Sequence, residues 1–243
     1  MTGCCTLPPR EAPAIPLWIN GRPVLTMVPV FHEVRESATQ RLIRRVPLVD
    51  QAVAITAIDS ANQAAGLLPA AMQTFLNDLA NALTELEAHF AGLSAVESHT
   101  HLDTGKADVT NAVAYVKTLL AKPVIAEVRP AGQGDSILAF AGAGMPLSAA
   151  VKLVLPVIVR GGAVTLVPSL DAPSCALALA ELCGQCGLPD GLFNVVFVDE
   201  AVALSLVHQP GVQQVRLFGP SAWAQRWQTA ALDWSVTCEL VLA

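Results

Sequence analysis

The chain has 243 residues, a net charge of −6, a hydrophobic fraction of 53% and a charged fraction of only 14%. A nucleic-acid surface needs clustered cations, which 14 lysines and arginines against 20 acidic residues do not supply. No apolar run reaches the roughly 18 residues of a membrane helix. The N-terminus lacks the basic start and apolar stretch of a signal peptide. We therefore expect a cytoplasmic protein that binds neither nucleic acid nor a membrane.

The scarcity of charge leaves two interpretations open. So few charged residues for so much apolar sequence predict either a face buried against another protein chain or a core rich in alanine. The length is sufficient for one large domain or two small ones with a real hydrophobic core.

The first half of the chain predicts a leader, a hairpin and a group of helices. Residues 1–16 are rich in proline and predict an irregular leader. Leu17 to Val24 reads as two short strands around a turn at Asn20-Gly21. Apolar residues at helical spacing then predict helices over residues 49–65, 72–90 and 108–120. Residues 124–128 predict one strand, able to join the sheet edge of a neighbouring chain.

Strands alternate with helices from Ser136 onward. Apolar, β-branched runs predict strands, and helical periodicity predicts the segments between them. The strands are expected at 136–141, 163–167, 193–198, 214–218 and 235–242, and the helices at 147–159, 176–185, 201–208 and 223–231. This alternation predicts parallel βαβ units, and hence an α/β fold with a doubly wound, mostly parallel sheet flanked by helices.

Two motifs with metal or redox spacing are interpreted as structural. Cys183-Gly-Gln-Cys186 has C-x-x-C spacing, but no second such pair or histidine pair completes a zinc site. His99-Thr-His101 lacks a third ligand and is predicted to be a solvated loop. No P-loop and no G-x-S-x-G elbow occurs. We therefore predict no metal site.

Several segments resemble the cofactor-binding half of the aldehyde dehydrogenases. Trp18-Ile-Asn-Gly21 resembles the family's F-I-N-G hairpin, and Leu102-Asp-Thr-Gly-Lys106 its D-T-G-K segment. Ala178-Leu-Ala-Glu-Leu182 with Gly187-Leu-Pro-Asp-Gly-Leu-Phe-Asn-Val-Val196 is similar to A-L-A-E-L…G-L-P-x-G-V-x-N-V-V and is the most specific match. The resemblance covers residues 17–243 and implies a Rossmann-like cofactor-binding domain. The family's second domain, which carries the cysteine nucleophile, has no counterpart in this sequence.

Three of the family's functional motifs differ here. Gly144 stands where P-W-N-F-P has the asparagine that stabilises the oxyanion. In place of K-P-S-E, whose lysine and glutamate hold the adenosine ribose, the chain has Val167, Ser169 and Leu170 around Pro168. In place of the G-S-T-E-V-G turn at the pyrophosphate, the chain has residues 219–224. There Pro220 has no N–H to donate, and the side chain of Trp223 adds bulk where the cofactor would lie. The altered cofactor positions of this segment are Gly219, Pro220, Ser221 and Trp223.

The family's general base has a counterpart in Glu239. No cysteine is placed to serve with it, because Cys238 is its neighbour on an extended strand and points to the opposite face. We interpret Glu239 as a retained structural carboxylate and assign no catalytic residue.

The resemblance and its departures together predict a catalytically inactive aldehyde-dehydrogenase-like subunit. We expect a structural or regulatory role in a larger complex, with a full-length aldehyde dehydrogenase or another oxidoreductase subunit as partner. No cofactor is expected, and any NAD(P) binding should be weak. Two alternatives stay open: the NAD(P)-binding half of a split enzyme whose cysteine lies on another chain, and a small-ligand module that uses the vacated cofactor groove.

Overall fold

A seven-stranded sheet forms the centre of the protein. The computed structural model describes residues 12–36, 39–121, 130–142, 144–220, 222–223, 225, 227 and 237–241. Within them the sheet strands are β1 Leu17–Ile19, β2 Arg22–Val24, β5 Ser136–Ala141, β6 Ala163–Val167, β7 Phe193–Val195, β8 Gln214–Phe218 and β9 Thr237–Val241. Their order across the sheet is β2-β1-β7-β6-β5-β8-β9. The strands β5 to β9 pair in parallel. The predicted doubly wound α/β sheet is thereby confirmed.

The core lies on both faces of the parallel strands. Every residue of β5 and β6 is buried, because helices cover the sheet above and below. These helices are α1 Gln51–Ala64, α2 Met72–Glu85, α3 Glu87–Glu97, α4 Leu102–Leu120, α5 Pro146–Ile158, α6 Ser174–Gln185 and α7 Glu200–Leu206. None of the helices in the described part of the chain is long and apolar enough to cross a membrane.

The predicted N-terminal hairpin is present and joins the sheet. Asn20 and Gly21 both have positive φ angles, 53° and 70°, as a tight two-residue hairpin turn requires. Strand β1 pairs antiparallel to β7, with Trp18 opposite Val195. The predicted leader is described only from residue 12, and there Ile15 donates its N–H to the carbonyl of Arg45 at 3.0 Å.

A second, two-stranded sheet was missing from the sequence interpretation. Strands β3 Phe31–Arg35 and β4 Leu42–Pro47 pair antiparallel. Their apolar residues do not form the continuous runs that mark the central strands, because most of β3 faces solvent. Sequence periodicity therefore gave only a weak signal.

The prediction of one helix over residues 72–90 was wrong. The helix is interrupted at Leu86, whose φ of −93° and ψ of 16° are not helical, and α3 begins at Glu87. The break allows α3 to pack closely on α4, where a Cβ on Gly105 would lie 2.2 Å from the carbonyl oxygen of Ala91. The helix expected from residue 108 starts earlier, at Leu102.

Two buried carboxylates fix the helix ends around the sheet. Asp108 is fully buried and accepts hydrogen bonds from the N–H groups of Leu147 and Ser148 at the start of α5, at 3.0 and 2.8 Å. Glu97 accepts from the N–H and the hydroxyl of Ser174 at the start of α6. A carboxylate at a helix N-terminus satisfies orphan donors and complements the helix dipole. The helices α3 and α4 thereby hold α5 and α6 in place.

Three predictions fall wholly or partly outside the described residues. Of the helix predicted at 223–231, only residues 223, 225 and 227 are described, and they are helical. The last predicted strand, 235–242, is described as β9. A strand expected at 124–128, able to join a neighbouring sheet, lies outside the described residues.

Candidate ligand crevice

A crevice with a volume of about 420 Å³ opens at the carboxyl edge of the parallel strands. Ala141 and Gly142 at the end of β5 line one side of it, and Val167 and Leu170 at the end of β6 line the other. The strand order reverses here, since β6 lies on one side of β5 and β8 on the other. In open α/β sheets ligands bind at this kind of switch point, beyond the carboxyl ends of the strands.

Three aromatic side chains form one wall of the crevice. The ring of Phe140 stacks on Trp227 with a centroid distance of 4.6 Å, and Trp227 lies 5.8 Å from Trp223. Trp223 packs against the backbone of Gly219, where an added Cβ would lie 2.8 Å from the indole ring. The tryptophans are partly exposed, so this wall presents aromatic surface to solvent.

The charged groups at the mouth of the crevice are acidic. Asp171, Asp199 and Glu200 all line it and are exposed, and the described lining contains no lysine or arginine. The Oδ1 atom of Asp171 lies 2.9 Å from Nε2 of His32. Asp199 caps α7 by accepting the N–H of Val202 at 2.8 Å. Glu200 follows it in the first turn of the same helix.

The predicted cofactor positions lie at or next to this crevice. Val167, Ser169, Leu170 and Trp223 line it. Gly219 and Pro220 directly follow β8. Ser221 lies outside the described residues.

Gly144, at the predicted oxyanion position, lies in the turn before α5. Its φ is 97°, a conformation that favours glycine, and a Cβ there would meet no atom within 4 Å. The position is therefore open to solvent, and no described side chain replaces the missing amide donor at that point.

Glu239 is bound by a neighbouring arginine. The guanidinium of Arg216, opposite it on β8, donates from Nε to Oε2 at 3.1 Å and from Nη2 to Oε1 at 3.3 Å. Gln214 donates to the same carboxylate at 3.1 Å, and Nη1 of Arg216 donates to the carbonyl of Leu153 on α5 at 2.8 Å. Both oxygens of Glu239 are thus engaged in joining β9 to β8 and α5.

Glu239 also lies apart from the crevice. It lines a separate depression with Asp135, Gly162 and Gln214, which mark the amino ends of β5, β6 and β8. The crevice at the carboxyl edge shares no lining residue with this depression. Glu239 therefore lies at a different part of the sheet from the other predicted site residues.

The other candidate side chains are not brought together. His99 occupies a turn with φ of 55°, and His101 precedes α4. No group of three potential metal ligands occurs among the described residues. Burial raises the pKa of the Cys183 thiol, which is fully enclosed, and also raises the pKa values of Cys186 and Cys238. A thiol with a raised pKa is a poor nucleophile.

Sequence reasoning missed the acidic mouth of the crevice. His32 and Asp171 are far apart in the chain, and no motif links them. In the sequence, Asp199 and Glu200 indicate only the start of a short helix. A signal was available in their position, since both follow the segment 193–198 that the sequence predicts as a strand; in the structure that strand ends at Val195.

Comparison with known proteins agrees with this architecture. A betaine aldehyde dehydrogenase of Cereibacter sphaeroides is 30% identical over 92% of this chain and 50% of its own length. One from Rhizobium meliloti is 44% identical over 26% of this chain and 13% of its own length. The chain spans about half the length of the first of these relatives.

Solved structures show the same fold. Lactaldehyde dehydrogenase from Escherichia coli superposes with a TM-score of 0.83 at 21% identity, over 96% of this chain and 52% of that one. A C291A mutant of aldehyde dehydrogenase C from Pseudomonas syringae, in complex with NAD+ and octanal, gives a TM-score of 0.81 at 22% identity, over 94% of this chain and 50% of that one.

A doubly wound sheet with a crevice at its carboxyl edge defines a Rossmann-type α/β domain. The profile of the aldehyde dehydrogenase family matches residues 30–240. The chain belongs to the aldehyde dehydrogenase family.

Proposed function

We propose that this aldehyde dehydrogenase domain does not use NAD(P) and acts as a non-catalytic structural or regulatory subunit of a larger oxidoreductase complex. The observation that carries the proposal is the chemistry of the crevice. A dinucleotide brings two negatively charged phosphates, which need free N–H groups or cations. The described lining offers three carboxylates and no lysine or arginine.

The shape of the turn after β8 supports the same proposal. Pro220 has no N–H to donate to a phosphate. The indole of Trp223 packs against Gly219, at the turn that carries the pyrophosphate-binding motif in the family. Val167 and Leu170 present apolar side chains where the motif has a lysine and a glutamate for the ribose. Charge, donors and free space all disfavour the dinucleotide.

The state of Glu239 supports a non-catalytic role. A general base must reach the proton that it removes. Both carboxylate oxygens of Glu239 accept hydrogen bonds from Arg216. The pair joins β8 to β9, and Arg216 also joins β8 to α5. Freeing the carboxylate would leave the buried guanidinium without its partner.

The proposed partner is a full-length aldehyde dehydrogenase or another oxidoreductase subunit. Large apolar side chains between β2 and β3 support a protein partner: Leu25 is 80% exposed, Met27 fully exposed and Val30 54% exposed. The low charged fraction of 14% is in keeping with a covered surface. The split-enzyme alternative requires NAD(P) binding, and the ligand-module alternative requires an occupant for the crevice.

Calorimetric titration with NAD and with NADP tests the cofactor statement. We expect no saturable heat up to about millimolar concentrations, a limit near −4 kcal/mol of binding free energy. Micromolar binding of either dinucleotide would contradict the proposal and favour the split enzyme. For the second statement, the chain is mixed with a purified aldehyde dehydrogenase from the same host. We expect a complex of defined mass or a changed turnover of that enzyme. If neither result is seen, the subunit role is contradicted.

A further inference from the structure

The crevice combines aromatic walls, an acidic mouth and a volume fit for a small molecule. Its volume of about 420 Å³ lies in the range of small-ligand sites. The aromatic wall of Phe140, Trp223 and Trp227 and the carboxylates of Asp171 and Glu200 line the same space. Both features favour a positively charged group on the ligand.

Aromatic faces and carboxylates attract organic cations. A quaternary or primary ammonium over an indole ring is stabilised by the ring quadrupole, and tryptophan is the strongest of the aromatic side chains in this respect. A carboxylate at the rim adds Coulomb attraction, and both contributions repel an anion. The apolar residues Val167 and Leu170 would contact the body of the ligand.

We propose that the crevice binds a small organic cation with an apolar body, such as an aryl or alkyl ammonium compound. The ammonium group lies between the tryptophan wall and the carboxylates of Asp171 and Glu200, and the apolar body contacts Val167 and Leu170. The inference rests on that part of the proposed function which leaves the crevice free of NAD(P). It extends that proposal by naming the chemical class of the occupant.

The individual acids contribute to different extents. Asp199 already accepts the N–H of Val202, so its main role is to cap α7. Glu200 is exposed at the start of that helix. Asp171 pairs with His32 at 2.9 Å.

Titration with benzyltrimethylammonium at about pH 8 and low salt tests the inference, with benzenesulfonate as the anion of similar size. We expect saturable binding of the cation in the millimolar range, as its size allows. Benzenesulfonate should not bind, and added salt should weaken binding of the cation. Equal binding of both probes, or no binding of the cation, would overturn the inference.

Variants locate the site. The double substitution Asp171→Asn with Glu200→Gln should weaken binding of the cation about three- to tenfold, since both side chains are exposed and screened. Glu85→Gln, an exposed glutamate outside the crevice lining, should leave binding unchanged. A double variant that binds like the unchanged chain would overturn the inference. Trp223→Leu, checked for folding by circular dichroism, should also weaken binding.

Failure of this inference and failure of the proposed function give different results. Binding of NAD(P) in the micromolar range contradicts the proposed function, whatever the ammonium probe does. If neither NAD(P) nor the ammonium probe binds, only the inference of a cation site is contradicted. Competition between NAD and the ammonium probe would contradict the proposed function, and it would place the cation in this crevice.

Discussion

Arg216 and Glu239 face each other across the parallel strands β8 and β9 and share two hydrogen bonds of 3.1 and 3.3 Å. The arginine is almost fully buried and the glutamate is 45% exposed. Because a buried guanidinium needs its acceptors, the pair ties β9 to β8.

The first prediction concerns this pair. Glu239→Gln leaves the charge of Arg216 with only neutral acceptors, and should lower the free energy of unfolding by about 1–2 kcal/mol, with the partial exposure of Glu239 limiting the effect. Urea unfolding followed by circular dichroism measures it. Glu181→Gln, on the exposed side of α6, serves as the control and should change stability by less than about 0.5 kcal/mol. Equal effects of the two substitutions would contradict a structural role for Glu239.

The second prediction concerns the pH dependence of stability. Burial raises the pKa of Glu97 above its ordinary value of 4.5, while the hydrogen bonds from Ser174 and the charge of Arg44 act in the opposite direction. A raised folded-state pKa contributes stability that is fully present below the unfolded pKa and is lost as pH rises through the folded pKa.

Replacing this carboxyl should therefore flatten the pH profile. Urea unfolding of Glu97→Gln is compared with that of the unchanged chain at about pH 4.5, 6 and 7.5. We expect the unchanged chain to lose more stability than the variant over that interval, because the glutamine has no proton to release. The exposed substitution Glu85→Gln should keep the profile of the unchanged chain. A parallel profile for Glu97→Gln would contradict the assignment.

The third prediction compares two helical glycines. Gly105 lies against the backbone of Ala91 with no room for a methyl group, whereas a Cβ on Gly92 would meet nothing within 4 Å. Gly105→Ala should destabilise the protein by about 1–3 kcal/mol or more through overpacking. Gly92→Ala should stabilise it by up to about 1 kcal/mol, because alanine favours the helix. Thermal unfolding of the two variants measures these effects. Shifts of the unfolding temperature in the same direction for both variants would contradict the close contact of α3 and α4.

The fourth prediction concerns thiol reactivity. Cys175 and Cys183 are buried, Cys186 and Cys238 are partly exposed, and burial raises the pKa of all four thiols. Iodoacetamide should therefore modify Cys186 and Cys238 slowly, and Cys175 and Cys183 only after unfolding. Peptide mapping by mass spectrometry measures the order in which the cysteines are modified, with a guanidinium-unfolded sample as the control. Rapid modification of Cys183 in the folded chain would indicate a reactive C-x-x-C site.

Local patterns predicted most of the fold. The buried strands β5 and β6 are continuous apolar runs, and α1 is marked by the N-cap Asp50, whose side chain accepts from Val53 at 2.9 Å. The break at Leu86 could not be read from periodicity, because it depends on how α3 fits against α4. Tertiary contact decided that boundary.

The candidate site was predictable only in part. Motif comparison placed Val167, Leu170 and Trp223 in one crevice, since the ends of parallel strands meet at one edge. The pairing of Asp171 with His32 spans 139 positions of sequence, and its geometry follows only from the folded chain. The partner of Glu239 was likewise hidden, because the register of β8 and β9 sets Arg216 opposite it.

The antiparallel contact of β1 with β7 has a consequence for synthesis of the chain. The N–H of Asn20 donates to the side chain of Asn194, so this edge of the sheet joins residues 174 positions apart. Contacts of such long range form late, because loop closure must precede them. As the ribosome extends the chain, the N-terminal hairpin must wait for β7 to emerge. During that interval Leu17 and Trp18, which are buried in the finished fold, lack their contacts with β7. Transiently exposed apolar side chains of this kind are what chaperones bind.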